Sequence, residues 1–131
     1  VAFSSVGRGL ITDTPHTREF IETSAFLKVN PRFMEPNYSA NLKLLEPFRA
    51  LAADMGLSAA GLAIAWVLAQ GEHVVSIPGT RNTAHFNELA DGAERKLTAD
   101  EVATIEKTLP VGWCHGDRYN RDQWIGPEIY S

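Results

Sequence analysis

The sequence has little cysteine, little net charge and no long apolar run. Its single cysteine, Cys114, excludes a disulfide within the chain and fits a reducing compartment, so we expect a cytoplasmic protein. The net charge of −4 argues against a nucleic acid or an anionic membrane surface as a partner. No apolar stretch approaches the roughly 20 residues that a membrane span requires, and no secretory signal pattern opens the chain. We therefore expect neither nucleic-acid nor membrane partners.

What is present suits one packed domain or a piece of one. The 131 residues are 44% hydrophobic, which is enough for a core. The chain begins at Val1, inside an apolar strand-like run, and natural domains rarely begin within a strand. We expect residues 1–131 to be a single partial domain, preceded by further sequence in the parent protein.

The segment His73–Arg81 reads as a strand, a tight turn and the start of a helix. Its β-branched residues predict a buried strand over His73–Ile77, and Pro78-Gly79 ends that strand. A side-chain oxygen of Thr80 or Asn82 can cap the following helix. Such a turn presents backbone N–H groups and a positive dipole end to an anion, typically a phosphate. Arg81 adds a fixed charge; the alternative is an ordinary turn with a surface arginine.

The first strand is predicted at Val1–Ser4, followed by a loop that contains Gly7-Arg8-Gly9. Two glycines around an arginine allow a ligand to approach the backbone closely, although a plain loop has the same composition. Leu10–Pro36 has no sustained period beyond a short helix at Thr17–Thr23. A loop of this length predicts either a functional element, such as a lid, or a disordered segment. His16 within it is expected to be solvated.

Four further helices are predicted. Ser39–Met55 has helical spacing, but Pro47 either kinks it near Lys43–Pro47 or begins it, and Gly56 ends it. Ser58 caps Ala59–Gln70, which is apolar on nearly every side and is therefore mostly buried. The last two helices are predicted at Thr83–Ala93 and at Ala99–Thr108, the latter with a capping box of Thr98 and Glu101. The residues predicted to face the core from the three less apolar helices are Leu44, Leu45, Phe48, Leu51, Ala52, Met55, Phe86, Leu89, Ala90, Val102, Ile105 and Leu109.

The tail Pro110–Ser131 has no period, and its aromatic residues predict a surface cover. These aromatics are Trp113, Tyr119, Trp124 and Tyr130. Cys114-His115 lacks a suitably spaced third ligand, so no metal site is expected. The order strand, helices, strand, helix predicts a parallel βαβ unit, whereas a complete (β/α)₈ barrel takes about 250 residues and eight strands.

Four motifs, in order from Val1 to about Leu109, resemble the C-terminal part of an aldo-keto reductase. Ala2–Gly9 resembles the family's seventh strand, and Pro31-Arg32-Phe33 with Asn37 and Asn41 resembles the segment after it. Gly56–Gly71 resembles the Leu-Ala-Leu-Ala-Trp helix, and Ser76–Arg81 resembles the eighth strand with its phosphate-binding turn. The resemblance implies an α/β fold, namely the C-terminal portion of a (β/α)₈ TIM barrel, mostly helical with two parallel core strands.

The resemblance also implies NADPH as cofactor. Phe3 takes the place of the aromatic residue that stacks on the nicotinamide, and Ser4, Val6 and Gly7 line the pyrophosphate path. The residues that would hold the 2′-phosphate are Gly79, Thr80 and Arg81. The adenosine would be flanked by His85 and Glu88. The sequence departs from the family at Ser5 (usually Pro), Asn87 (commonly Glu) and Leu89 (an adenine-contacting Asn).

The family's catalytic Asp, Tyr, Lys and His precede the position of Val1, so no catalytic residue is assigned in this chain. Tyr38, Tyr119 and Tyr130 do not stand at the family's tyrosine position. The resemblance implies an NADPH-dependent reductase of a small aldehyde or ketone when whole. The chain alone is expected to be inactive, and to need the missing N-terminal part or to associate with itself. The alternatives are a non-catalytic nucleotide-binding or interaction module, and a fragment with no function of its own.

Overall fold

The computed structural model describes residues 1–124, which form two compact units. The first unit comprises residues 1–15 and 45–111, and the second comprises residues 16–44 and 112–124. In the described part of the chain, no single helix is long and apolar enough to cross a membrane. The strands and helices, in chain order, are β1 (Ala2–Phe3), α1 (Arg18–Thr23), α2 (Asn37–Leu44), α3 (Glu46–Asp54), α4 (Ala59–Ala69), β2 (Ser76–Ile77), α5 (Thr83–Glu94) and α6 (Ala99–Thr108).

The two strands of the first unit pair in parallel, which confirms the predicted βαβ unit. Ala2 is opposite Ser76 and Phe3 is opposite Ile77. Both strands are shorter than predicted: Ser4 takes a left-handed conformation with φ 56°, and a turn from Gly71 to Val74 precedes β2. The prediction of a buried strand over His73–Ile77 is wrong, because no described element covers the outer side chains.

Helix α4 is the buried centre of the first unit, as its composition predicts. Ser58 caps it by accepting a hydrogen bond from the Gly61 N–H at 2.9 Å, and every residue from Ala59 to Ala65 is buried. Helix α4 contacts α5 at a pair of glycines, Gly61 on α4 and Gly92 on α5. A Cβ built on Gly92 would lie 2.1 Å from the Gly61 carbonyl oxygen, so the two backbones pack together with no side chain between them.

The predicted helix Ser39–Met55 is two helices, α2 and α3, with the break at Leu45. Pro47 lies in the first turn of α3, where its missing N–H is not needed. Because of the break, Leu45 is fully buried but Leu44 is 40% exposed, so the expectation that Leu44 faces the core is wrong. Phe86 is likewise 59% exposed, although it shares the apolar stripe of α5 with the buried Leu89.

The remaining helix ends follow their predicted caps. Gly56 ends α3 with φ 72°, and the Leu57 N–H donates to the Ala52 carbonyl at 2.9 Å. Asn82 caps α5 through a bond from the Ala84 N–H at 2.8 Å. The capping box of Thr98 and Glu101 is complete.

The second unit contains residues 16–36, for which disorder was one expectation. That expectation is wrong: the segment forms α1 and two 3₁₀ turns, and it buries Ile21, Leu27 and Phe33. His16 is half-buried, and its ring stacks on Phe20 at a centroid distance of 4.5 Å. Local capping and aromatic contacts therefore order a segment that has no long-range period.

Two buried asparagines hold the tail in the second unit. Asn41 donates to the His115 carbonyl at 3.0 Å and accepts from the His115 N–H at 2.7 Å. Asn30 donates to the Arg118 carbonyl at 2.8 Å. Tyr119 is buried, with its ring edge-on to Trp124 at 5.1 Å. Tyr130, the last of the predicted tail aromatics, lies outside the described residues.

Candidate functional site

The parallel pairing of β1 and β2 brings two loops to one edge of the first unit. Carboxyl ends of parallel strands lie at the same edge of a sheet, which is where α/β folds bind ligands. β1 is followed there by the loop Ser4–Gly9, and β2 by the turn Pro78–Asn82. These two segments contain most of the predicted site residues.

The loop Ser4–Gly9 has a strained backbone that the sequence pattern does not indicate. Ser4 and Arg8 have φ angles of 56° and 60°, in the left-handed region that disfavours residues other than glycine. Such conformations cost about 1–3 kcal/mol each and persist where surrounding contacts fix them, often at functional sites. Gly7 shares the conformation, with φ 58°, and its N–H donates to the Ser4 carbonyl at 2.8 Å.

Phe3 and Val6, the predicted cofactor contacts on either side of Ser4, have different surroundings. Phe3 is 47% exposed at the end of β1. Val6 packs against the buried cluster Ala60, Ile64 and Leu89. Val6 therefore anchors the loop to α4 and α5 by its side chain.

The turn Pro78–Asn82 is open at its glycine. No heavy atom outside the adjoining residues lies within 4 Å of a Cβ built on Gly79, so a ligand can approach the backbone there. The Thr80 hydroxyl accepts a hydrogen bond from the Asn82 N–H at 3.2 Å. This bond shapes the turn immediately before the first residue of α5.

Arg81 supplies a positive charge at this edge. Its side chain is exposed, and within residues 1–124 no hydrogen-bond or ion-pair partner engages it. It stands two residues before α5, a helix of 12 residues, whose N-terminus adds its own positive partial charge. An unpaired guanidinium beside a helix N-terminus suits a phosphate group.

The predicted adenosine contacts lie on α5. His85 is exposed and Glu88 is half-buried, and their spacing of three places them on one face of the helix. Leu89, the departure from the family's asparagine, is 8% exposed and packs into the core cluster. The helix thus turns position 89 inward, while Asn87 is exposed.

Ser5 and Ser76 form a contact that the sequence analysis missed. Their hydroxyl oxygens lie 2.7 Å apart and connect the loop Ser4–Gly9 directly to β2. No signal in the sequence finds this pair, because 71 residues separate its members.

Cys114 and His115 lie in the second unit. Among residues 1–124, no group of three His, Cys, Asp or Glu side chains is placed to hold a metal ion. Burial raises the pKa of the Cys114 thiol above its ordinary value, against the smaller opposing effect of the Arg32 charge. The His115 backbone N–H is used by Asn41.

Residues 1–110 match the aldo/keto reductase family over most of the chain. The chain belongs to the aldo/keto reductase family. This confirms the resemblance found in the sequence, and the fold of the family is the TIM barrel.

Similar proteins include aldo-keto reductase str7 of Strobilurus tenacellus. It is 31% identical over 121 residues, which make up 92% of this chain and 36% of that protein. Probable aldo-keto reductase 1 of Glycine max is 34% identical over 119 residues, which are 91% of this chain and 34% of that protein. Among solved structures, the glycerol dehydrogenase AKR11B4 from Gluconobacter oxydans is 27% identical with a TM-score of 0.62, and the match covers 83% of this chain and 33% of that chain. This aldo/keto reductase chain thus spans about a third of the length of these relatives.

Proposed function

We propose that this chain is the NADPH-binding, C-terminal portion of a cytoplasmic aldo/keto reductase that reduces an aldehyde or ketone. The observation that carries the proposal is the edge formed by β1 and β2. There a strained loop and an open turn follow adjacent parallel strands, and an exposed Arg81 has no partner among the described residues. Membership of an oxidoreductase family supports the same reaction class.

The residues at this edge fit the parts of a dinucleotide phosphate. The open backbone at Gly79 admits a phosphate oxygen, and Arg81 offers charged donors to the 2′-phosphate. Thr80 adjoins Arg81 in the turn, and its hydroxyl donates to the Asn82 carbonyl at 3.2 Å. The Phe3 ring is exposed enough to stack on a nicotinamide. The remaining roles go to the loop and to α5: Ser4, Val6 and Gly7 along the pyrophosphate, and His85 and Glu88 beside the adenosine. The bound cofactor would supply the hydride.

The proton donor is proposed to lie outside residues 1–131, because the tyrosines described here are engaged elsewhere. Carbonyl reduction needs a positioned acid beside the hydride donor. The Tyr38 hydroxyl donates to the His16 carbonyl at 2.6 Å, and Tyr119 is 6% exposed. The same observation favours a second candidate, a nucleotide-binding module without catalysis, and turnover by the protein from its complete reading frame would distinguish the two.

The test is Arg81→Met in the protein expressed from its complete reading frame. Loss of the charge-assisted hydrogen bonds should weaken NADPH by about 1.5–3 kcal/mol, the range for bonds to charged groups, while NADH binding scarcely changes. Isothermal titration of both cofactors measures the difference.

Lys96→Met is the matched control, since Lys96 is an exposed cation beyond the other end of α5. Its removal should leave both affinities unchanged. Equal weakening of NADPH and NADH by Arg81→Met would show that Arg81 is structural and would refute the assignment.

A further inference from the structure

Two serine hydroxyls join the loop Ser4–Gly9 to the neighbouring strand. Ser5 Oγ lies 2.7 Å from Ser76 Oγ, and Ser5 also donates to the Ala2 carbonyl at 3.2 Å. A hydroxyl has one proton to donate. Both bonds therefore form together when Ser76 donates to Ser5 and Ser5 donates to Ala2. Bonds in such a chain polarise and strengthen one another.

Ser5 stands where the backbone leaves β1. The residue before it, Ser4, has φ 56°, and a left-handed residue of this kind persists only where surrounding contacts fix it. The Ser5 side chain supplies such contacts, since it holds the residue after Ser4 to both strands. Ser76 lies on β2, two residues before the turn Pro78–Asn82. The hydroxyl pair therefore ties the loop to the strand that leads into this turn.

We propose that Ser5 and Ser76 are positioning residues, whose hydroxyl link holds the loop Ser4–Gly9 at a fixed separation from the turn that contains Arg81. This inference rests on the proposed function. A ligand that spans two segments binds tightly when their spacing is set in advance, because it does not have to order them itself. A proline at position 5 restricts the backbone by its ring, and Ser5 replaces that restriction with a hydrogen bond. Neither hydroxyl has to touch the ligand.

A double-mutant cycle on NADPH affinity tests the link in the protein expressed from its complete reading frame. Ser5→Ala and Ser76→Ala should each raise the Kd for NADPH about 3- to 10-fold, the loss that one neutral hydrogen bond predicts. The double variant should bind no more weakly than Ser5→Ala, because the bond to Ser76 is already lost once Ser5 has no hydroxyl. Ser5→Thr keeps the hydroxyl and should restore most of the affinity.

The control is Ser58→Ala, which removes the cap of α4 but leaves the loop Ser4–Gly9 intact. It should lower the melting temperature and leave the Kd for NADPH unchanged. If Ser5→Ala and Ser76→Ala lose thermal stability but keep the Kd for NADPH, the positioning role is overturned. Additive effects of the two substitutions on the Kd would overturn it as well. If the unsubstituted protein binds neither NADPH nor NADH, the proposed function itself fails, and the positioning role fails with it.

Discussion

At the scale of single residues, burial of Cys114 has a consequence that can be measured. Burial raises the pKa of its thiol, so less thiolate is present at pH 8 than in an ordinary cysteine, and thiolate is the reactive form. We expect iodoacetamide to label the folded chain more slowly than the chain in urea. Because Cys114 is the sole cysteine of these 131 residues, the mass of the one peptide that contains it measures the rate in the protein from its complete reading frame. Labelling of the folded chain at the unfolded rate would contradict the effect of burial.

A comparison of Arg81 with Leu89 shows how far the identity of a residue predicts its place in the structure. Arg81 is exposed as its type and its place in a turn predict. Leu89 is buried against Ala60 and Ile64, so the departure from an adenine-contacting asparagine also adds apolar contact to the core. Sequence comparison identifies the substitution, but only the packing of α5 on α4 shows what the new side chain does.

At the scale of elements, α4 and α5 cross with their backbones in close contact at Gly61 and Gly92. Replacing glycine by alanine inside a helix ordinarily stabilises it by about 0.5–1 kcal/mol. Here the added Cβ would lie 2.1 Å from the Gly61 carbonyl oxygen. We therefore expect Gly92→Ala to destabilise the fold by about 1–3 kcal/mol, as overpacking does, in urea unfolding of the protein from its complete reading frame.

Gly79→Ala is the companion variant for this measurement. A Cβ at Gly79 meets no heavy atom within 4 Å outside the adjoining residues, so the free energy of unfolding should hardly change. A stabilising Gly92→Ala would mean that the two helices do not cross at these glycines.

The capping box of α6 predicts a dependence of stability on pH. A hydrogen bond from the Thr98 backbone N–H, above all other effects, holds the pKa of Glu101 below its usual range. A carboxyl group whose pKa is lower in the folded state stabilises the fold above its unfolded pKa, and loses that contribution as the pH falls through the folded pKa. The deficit in melting temperature of Glu101→Gln should therefore be largest near pH 7 and shrink toward pH 3.

The exposed carboxylate of Glu72 offers a comparison. Glu72→Gln should show a smaller deficit at every pH. A deficit of Glu101→Gln that stays constant from pH 7 to pH 3 would indicate that the neutral amide alone, rather than the carboxylate charge, accounts for the loss.

At the scale of the whole molecule, residues 1–124 contain a sheet of two strands, β1 and β2. Phe3, Val75 and Ile77 are 47%, 55% and 55% exposed, a two-stranded sheet is marginal in water, and unpaired edges favour pairing with another chain. We predict that the isolated chain self-associates or is ordered only beside further parts of the barrel. Light scattering measures the association and circular dichroism measures the folding. A monomer with a cooperative unfolding transition would refute both alternatives, self-association and dependence on the rest of the barrel.

The second prediction at this scale concerns activity. The 131-residue chain should not oxidise NADPH in the presence of a simple aldehyde, because no positioned acid is assigned within it. Absorbance at the NADPH band follows the reaction directly. Steady turnover that is abolished by substituting one of the chain's own residues would show that this portion contains a proton donor.

The sequence by itself determined the family and the capped starts of α4, α5 and α6. Caps such as Asn82, and Thr98 with Glu101, were predictable because their hydrogen bonds join residues only two or three positions apart. The parallel βαβ unit and the turn before α5 followed from the order of elements and from local turn chemistry.

The tertiary structure alone decided which surfaces are covered and which distant groups meet. Helical periodicity placed Leu44 and Phe86 in the core, yet both are exposed, because burial depends on a neighbouring element and not on the period. The bond between Ser5 and Ser76 joins strands far apart in sequence, next to the left-handed Ser4. Such contacts form only once the intervening chain has folded, so no local pattern of residues encodes them.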